Sequence, residues 1–578
     1  MVPAVRLIPL GGLGEIGLNM LLVESGDDLI AVDCGLMFPD DEMPGIDYVI
    51  PDFSYLLGKR EGFRGVVLTH AHEDHVGALA YLLREAAVPV YGTVLTLALA
   101  SERLRELGVL DGARLVPFKP RDQIELGPFR IEPIRVTHSV ADGIGLAIDT
   151  PAGTLVHTGD FRLDPRPIDG QTPDYTRFRE LGDHGVLALC SDSTNVDRPG
   201  HTPSESEVGP ALATRFEGAR GRIIIATFAS HVHRIQQVLD LTVRYGRTAA
   251  LLGMSMEKNV RIASELGYLK VPHGALASLE AVAGLPRRRQ VIVSTGSQGE
   301  PNSALALLAA REHKYLEVEP GDLIVISARK IPGNERTVGR VINALLRLGA
   351  EVLSEDNAFV HVSGHASQED LKLMLAMTRP RYFVPVHGEY RHLLSHARLA
   401  RSAGIPDDRV FLLEDGLGLE LSHDAARIVG RYPAARVLVD GKGVGDVGAV
   451  VLRDRQLLAQ DGIVVVSLVV DPSGTVIAGP DIASRGWVYM KESAELVEEV
   501  KAAVSTALAD RDPGVPFDRE RVEALVKGAV RRFITQRFQR KPVVLPLILA
   551  ADLDHISSGL PGDGVILDPE ATASDGDA

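Results

Sequence analysis

The stretch Thr69-His70-Ala71-His72-Glu73-Asp74-His75 brings three imidazoles and two carboxylates together within a few residues. The apolar run Gly65-Val66-Val67-Leu68 precedes it, and Val76-Gly77-Ala78-Leu79-Ala80-Tyr81-Leu82-Leu83 follows. A buried strand is therefore expected to end in this turn, and a helix with Leu79, Leu82 and Leu83 on one face to leave it. Neutral imidazole and carboxylate are the ligands that suit Zn or Mn. A surface loop has little use for so many of them; the bland alternative is a solvated polar loop that happens to be His-rich.

One such cluster cannot fill two metal sites, so other parts of the chain must supply ligands. His138 closes Ile134-Arg135-Val136-Thr137, Asp160 follows His157-Thr158-Gly159, and His387 ends Val384-Pro385-Val386. Each is a polar side chain at the end of an apolar run, where loops gather and sites are built. Singly, each reads as an ordinary loop residue; taken with the 70–75 cluster, they read as metal ligands.

The elements that must position them fall into three textures. Up to about residue 205 the chain reads as short strands joined by turns, at Val5–Pro9, Asn19–Glu24, Leu29–Asp33, Val66–Thr69, Ile131–Thr137, Gly145–Thr150 and Thr154–Thr158, with few helices between them. From there, apolar strands at Gly221–Thr227, Ala249–Leu252, Gln290–Ser294 and Leu323–Ser327 each precede a helical stretch, the signature of a parallel α/β unit. After the Gly-rich joint Asp440-Gly441-Lys442-Gly443-Val444-Gly445 comes a last segment. It has strands near Gly462–Val470, Thr475–Ala478 and Val543–Ala550, a helix striped by Leu496, Val500, Val504 and Leu508, and a second helix capped by Asp518.

At 578 residues with 45% hydrophobic content, the chain has ample material for several cores. It has no 18-residue apolar span, and its first residues run straight into a strand with no signal-peptide pattern. The two cysteines, Cys34 and Cys190, fit buried thiols in a reducing cytoplasm. A net charge of −16 argues against sequence-blind coating of nucleic acid, though not against a local basic groove.

Gly12-Leu13-Gly14-Glu15-Ile16-Gly17 spells a dinucleotide-binding turn, but that motif must open a helix to meet a pyrophosphate. Here Asn19-Met20-Leu21-Leu22-Val23 reads as a strand. The glycines are instead expected to allow a tight loop beside the metal site.

Asp33, His70-x-His72-x-Asp74-His75, His138 and Asp160 match, in order, the motifs of metallo-β-lactamase-fold hydrolases, which the chain resembles. Asp192 in Ser191-Asp192-Ser193-Thr194, His365 in Ser363-Gly364-His365-Ala366-Ser367, and His387 before Gly388-Glu389 resemble the three added motifs of the β-CASP nuclease branch. Within that branch the chain is most similar to the bacterial ribonuclease J family, through Gly11–Asn19, Thr227–Arg234 and the C-terminal module. The resemblance implies an α/β protein: a metallo-β-lactamase αββα sandwich with an inserted β-CASP α/β domain and a small C-terminal α+β domain. The boundaries it suggests are 1–205 and 366–435 for the lactamase domain, 206–365 for the insertion, 436–455 for a linker, 456–555 for a dimerising module, and 556–578 for a disordered tail.

The resemblance also implies roles. His70, His72, His138 and Asp160 would hold one divalent ion, and Asp74, His75, His387 and the shared Asp160 a second. The ions would be Zn or Mn, with Mg able to serve in assays. A carboxylate can bridge two ions, whereas a neutral imidazole with one free lone pair cannot. Asp33 would orient a ligand histidine through its other ring nitrogen. His365, held by Asp192, would protonate the leaving oxygen. Ser230, His231, His233, Arg234, His361, Ser363, Gly364, His365, Ala366 and Ser367 would line a pocket for a 5′-monophosphate. Asp47 and Asp440 would hold a distal calcium ion. Basic residues at Arg329-Lys330, Arg287-Arg288-Arg289, Arg531, Arg532, Arg537, Arg540 and Lys541 are candidates to guide a strand, although most such runs are solvated faces and 287–289 reads as an exposed loop.

The implied activity is 5′→3′ exonuclease with endonuclease activity on single-stranded RNA. It would serve mRNA turnover and rRNA maturation in the cytoplasm, in a homodimer or higher oligomer or within an RNA-degradation assembly, away from membranes. Rival readings are a lactamase-fold hydrolase of DNA or small molecules, and a non-catalytic scaffold of an RNA-decay assembly. Scaffold relatives lose ligands; here every expected ligand is present.

Overall fold

The computed structural model describes residues 4–40, 42–471, 475–488, 494–509 and 518–550. The tail at 556–578, expected to be disordered, lies outside them. The chain forms two compact units. One is built from the residues up to Pro39 and from Ile46–Gly445, the other from Asp40–Gly45 and the residues from Asp446 on.

The first unit contains two sheets stacked face to face. In one, eight strands run in the spatial order Ala426–Arg431, Leu417–Leu421, Val5–Gly11, Met20–Ser25, Asp28–Val32, Phe63–Val67, Pro89–Gly92 and Arg114–Pro117. In the other, six run in the order Tyr382–Val386, Val186–Asp192, Gly153–His157, Ile144–Thr150, Phe129–Arg135 and Ile124–Leu126. Side-chain alternation along each strand divides the core. Val67, Ile131, Leu146, Ala188 and Val384 fill the layer between the sheets. Val66 turns outward onto Leu79, Leu82, Ala100 and Leu104, and Leu189 and Phe383 turn onto Phe178, Leu371, Met374 and Ala397 of the opposite helical layer. Both faces of both sheets are covered, which is why these strands read as continuous apolar runs. This is the αββα sandwich.

Strand direction assembles the site. Gly153–His157, Val186–Asp192 and Tyr382–Val386 are mutually parallel, so Asp160, Asp192 and His387 emerge at the same end. Asp28–Val32 and Phe63–Val67 are likewise parallel and deliver Asp33 and the 69–75 loop.

Inserted in this unit is a five-stranded, all-parallel sheet ordered Thr248–Leu252, Gln290–Ser294, Ile223–Ala226, Leu323–Ile326 and Glu351–Leu353. Ile223 and Ile225 enter one core and Ile224 and Ala226 the other, with helices on both faces.

Several local expectations differ from the structure. The helix after His75 is broken into Glu73–Val76 and Leu79–Glu85. Helix Val94–Glu106 lies in a region read as nearly helix-free. Residues 436–455, expected as a linker, carry strand Arg436–Asp440, which pairs with Tyr48–Pro51, and the start of helix Ala449–Asp461. Glycine-rich composition there marks tight turns, Gly441 and Gly445 having φ of 57° and 75°, rather than a loose tether.

In the second unit a sheet ordered Val476–Arg485, Ile463–Val470 and Val543–Ala550 is covered on one face by helices Ala494–Ala509 and Arg519–Phe538. Val500 and Val504 are fully buried against Val464, Val466 and Val530, so the Leu496–Leu508 stripe is spent on the module's own core.

Candidate metal centre

The 69–75 loop is held against the 33–36 loop by backbone bonds, Cys34 N to His75 O at 2.8 Å and Leu36 N to Glu73 O at 3.0 Å. The approach demands glycine at position 35, because a Cβ there would lie 1.6 Å from the Asp74 carbonyl oxygen. Beside it, strand Met20–Ser25 follows Gly17 where a dinucleotide-binding turn would open a helix.

The imidazoles converge. His70 Nε2 is 3.0 Å from His72 Nδ1, which is 3.2 Å from His138 Nε2. Asp160 Oδ2 lies 3.6 Å from His70 Nε2 and 3.7 Å from His138 Nε2. On the other side Asp160 Oδ1 is 3.4 Å from His75 Nε2, and Oδ2 is 3.4 Å from His387 Nε2. Asp74 Oδ2 is 3.6 Å from His75 Nε2 and 3.3 Å from His387 Nε2. Two sets result, His70/His72/His138/Asp160 and Asp74/His75/Asp160/His387, each with its ligand atoms within 4.8 Å of one another and both containing Asp160.

The outward-facing ring nitrogens set the inward ones. His75 Nδ1 is 2.8 Å from Asp33 Oδ2, His138 Nδ1 2.9 Å from Gly364 O, His387 Nδ1 2.6 Å from Thr194 Oγ1, and His70 Nδ1 3.1 Å from Thr69 Oγ1. Thr69 Oγ1 in turn donates to Asp33 Oδ2 at 2.8 Å, so one carboxylate steadies two rings. With Nδ1 donating outward, Nε2 of each of these rings turns a lone pair inward. The Nε2 atoms of His70 and His138 both converge on His72 Nδ1, at 3.0 and 3.2 Å. The donor set, imidazole with carboxylate, fits Zn or Mn.

The electrostatics agree. Burial holds His70 and His138 well below the usual histidine range and lowers His72 to about 4. Burial opposes charge on His387 too, but Asp160, Asp74 and Asp192 outweigh it and raise that ring to about 9. Despite burial, the neighbouring imidazoles depress the carboxyls of Asp74 and Asp160. His70, His72 and His138 are thus kept neutral, while the carboxylates favour positive charge at His387.

Asp192, 1% exposed at the end of its strand, places Oδ2 2.8 Å from His365 Nδ1 and accepts from Thr194 N at 2.9 Å. His365 Nδ1 is 3.9 Å from Asp160 Oδ2. The pair therefore abuts the shared ligand, leaving Nε2 of His365 as the nitrogen on offer.

The residues expected around a phosphate divide. Ser230, His361 and Ser363 are half-buried. Arg234 is not the free donor expected: it is fully buried, with Nε on Glu205 Oε1 at 2.8 Å and Nη1 on Val360 O at 2.8 Å and on Ser327 Oγ. His231 is buried, which lowers it to about 4, and lies 3.4 Å from Glu205 Oε1; His233 Nε2 lies 3.5 Å from Asp169 Oδ2. Gly364 O serves His138, Ala366 is in a core, and Ser367 Oγ is bonded to Asn195 and Thr202. An amphipathic start to helix Val232–Arg244 thus buries its basic residue inward, a direction that sequence spacing left open.

Asp47 and Asp440 come close, since Asp47 N donates to Val439 O at 2.9 Å, but the Asp47 carboxylate caps Gly441 N at 2.8 Å. Among the described residues they belong to no cluster of three or more ligating side chains. Arg287 is not in a loop without a role; it starts a short 3-10 helix and pairs with Asp322 Oδ1 at 2.6 Å and with Glu319. Arg329 Nη1 donates to Asn195 Oδ1 at 2.6 Å, and Lys330 pairs with Asp356. Arg531, Arg532, Arg537, Arg540 and Lys541 are exposed.

Sequence reasoning missed Asn19, whose Nδ2 lies 3.3 Å from Asp74 Oδ2 and 3.2 Å from His75 Nε2, along with Thr69 and Thr194. A polar Asn at the head of a buried strand was the available signal for the first.

Four family models match the chain: the metallo-beta-lactamase superfamily over 13–195, the ribonuclease J beta-CASP domain over 220–345, the Zn-dependent metallo-hydrolase RNA specificity domain over 351–411, and the ribonuclease J C-terminal domain over 450–551. Ribonuclease J 1 of Streptococcus pyogenes is 40% identical over 553 residues, covering 95% of this chain and 98% of that protein. This chain belongs to the ribonuclease J family. Ribonuclease J of Thermus thermophilus is 43% identical over 558 residues, covering 94% of this chain and 95% of its own. A crystal structure of an Enterococcus faecalis protein of unknown function shares the fold alone: TM-score 0.51 at 16% identity, over 72% of this chain and all of that one. As a member of the ribonuclease J family, the chain is a metal-dependent, RNA-binding nuclease. Among its described residues, no helix is long and apolar enough to cross a membrane.

Proposed function

We propose that this chain is a two-metal 5′→3′ exoribonuclease that also cuts internally, prefers a 5′-monophosphate end, and works in mRNA turnover and rRNA maturation in the cytoplasm. The observation that carries the proposal is the pair of four-residue ligand sets sharing Asp160, with the His365–Asp192 pair directly against that residue.

His70, His72, His138 and Asp160 would hold one ion in this reading, and Asp74, His75, His387 and Asp160 the other. When bound, a pair of divalent cations supplies Lewis acidity and brings the pKa of a water toward neutrality. Asp33, Thr69, Thr194 and the Gly364 carbonyl keep the imidazole lone pairs aimed inward. Once that water has given up a proton to solvent, its oxygen bonds to phosphorus as the bond from phosphorus to O3′ breaks, and His365 Nε2 delivers a proton to O3′. Asp192 holds the opposite nitrogen and stabilises the protonated ring. The products are a 5′-phosphate on one side and a 3′-hydroxyl on the other.

The 5′ preference is supported by the half-buried Ser230, His361 and Ser363, which offer hydroxyls and an imidazole, His361 and Ser363 lying just ahead of His365 in sequence. RNAs of one sequence bearing a 5′-monophosphate, triphosphate or hydroxyl test it. The monophosphate form should be degraded fastest from that end, and equal rates for all three would remove the pocket from the account.

Homodimerisation through the C-terminal module is the further part of this reading. One face of the module's sheet packs on its helices, while edge strand Val543–Ala550 leaves Leu545, Leu547 and Leu549 exposed at 45%, 44% and 61%. A second copy stacking the same sheet face on this one would bury this row. Leu547→Glu in the full chain should then halve the mass measured by light scattering; an unchanged mass would rule out this face.

A further inference from the structure

Arg162 is 2% exposed and has no part in the chemistry described so far. It follows the shared ligand Asp160 by two residues. Its backbone is pinned to Thr137, with N donating to Thr137 O at 2.8 Å and its carbonyl accepting from Thr137 Oγ1 at 2.7 Å. Its guanidinium reaches in two directions. Nη1 donates to Ser363 O at 3.0 Å, and Nη2 lies 3.4 Å from Asp164 Oδ2 and 3.7 Å from Glu205 Oε2. Glu205 passes the link on to Arg234, whose Nη1 holds Val360 O.

These four charged side chains are 0–2% exposed, and Nε of Arg162 and Nη2 of Arg234 have no hydrogen-bond partner among the described residues. A buried ionic network of this kind is a weak source of stability, because desolvation offsets most of the attraction. It does fix positions. Glu205 stands where the chain leaves the sandwich for the inserted sheet, and Val360 and Ser363 stand where it returns. The returning backbone at once supplies Gly364, whose carbonyl holds His138, and His365, which meets Asp192. The fit is tight: a Cβ on Gly364 would lie 2.7 Å from His138 Nδ1 and 3.0 Å from Ser139 N.

We infer that Arg162 is a positioning residue: by holding Ser363 O it sets the place of His365 against Asp160, and through Glu205 it ties that place to the crossover between sandwich and insertion. The inference rests on His365 being the proton donor. Displacing such a group by an ångström costs roughly 10²-fold in rate.

The test uses the full chain, a single-stranded RNA, and the same RNA with sulfur replacing the 3′-bridging oxygen at the scissile bond, both assayed in Mn²⁺. A thiolate leaves without a proton, so a defect in the acid is spared on sulfur. Arg162→Met should lower kcat on the oxygen linkage by roughly 10²-fold, with KM and metal content unchanged and the sulfur linkage cut at near the parental rate. Arg162→Lys keeps the charge but loses the planar fork and should lie between; it also serves if the Met variant does not fold. Adding Arg162→Met to His365→Ala should cost nothing more on the oxygen linkage. Equal losses on both linkages, or no loss on either, would overturn the inference. If His365→Ala is spared on sulfur and the Arg162 variants are not, the positioning role falls while the acid stands. If His365→Ala is not spared, the acid assignment falls and takes the inference with it.

Discussion

Asp160→Ala abolishes RNA hydrolysis and leaves the fold standing. Asp160 is the one side chain common to both ligand sets, with Oδ1 toward His75 and Oδ2 toward His70, His138 and His387. Its removal would take a ligand from each ion at once, and the neighbouring carboxylates are committed elsewhere: Asp74 to His75, His387 and Asn19, Asp33 to Thr69 and His75, and Asp192 to His365 and the Thr194 amide. The loss should therefore exceed the roughly 10²–10⁴-fold that removal of a general acid costs. The fold should persist, because Asp160 lies on a loop just beyond strand Gly153–His157 and outside the strands that carry the core. Activity on a labelled RNA, metal content and thermal unfolding of one preparation check all three points. Retained turnover with two ions bound would sink the shared-ligand assignment.

His365→Ala slows cleavage by roughly 10²–10⁴-fold without loss of metal. His365 belongs to neither ligand set of four, meeting the centre through Asp160 at 3.9 Å and through ring contacts with His138 and His387, so the ions should bind as before. Asp192 keeps the Thr194 amide as a partner and is not stranded. Asp192→Asn should lose much of the same rate, because an amide can present its NH₂ to Nδ1 and turn the ring to the wrong tautomer. A near-parental kcat for His365→Ala would assign the ring to phosphate contact instead.

The candidate ligand residues, which the structure brings together, were legible because metal chemistry restricts residue type: only a few side chains serve, and they stand at the ends of apolar runs. Their pairing into two sets follows from parallel strands that end on the same side, a register that a period-two pattern does not encode. The partners of the rings were harder to see. Thr69, Thr194 and the Gly364 carbonyl are unremarkable in sequence and gain a role only where the fold brings them to a ring nitrogen. Arg234 shows the opposite error. A basic residue beside Ser230 and His231 looks like a phosphate donor, yet the face it occupies on helix Val232–Arg244 turns it into the interior, onto Glu205. The linker at 436–455 was misjudged because glycines that permit tight turns and glycines that loosen a tether look the same in composition.

The central claim is that one shared carboxylate organises a two-ion centre for cutting RNA. Metal analysis of purified protein, followed by digestion of 5′-labelled and 3′-labelled single-stranded RNA with the same sample, tests it most directly. Two equivalents of divalent metal per chain, with labelled mononucleotide released first from the 5′-labelled strand, is the expected result. A single equivalent in fully active protein, or activity that survives complete removal of metal, would contradict it.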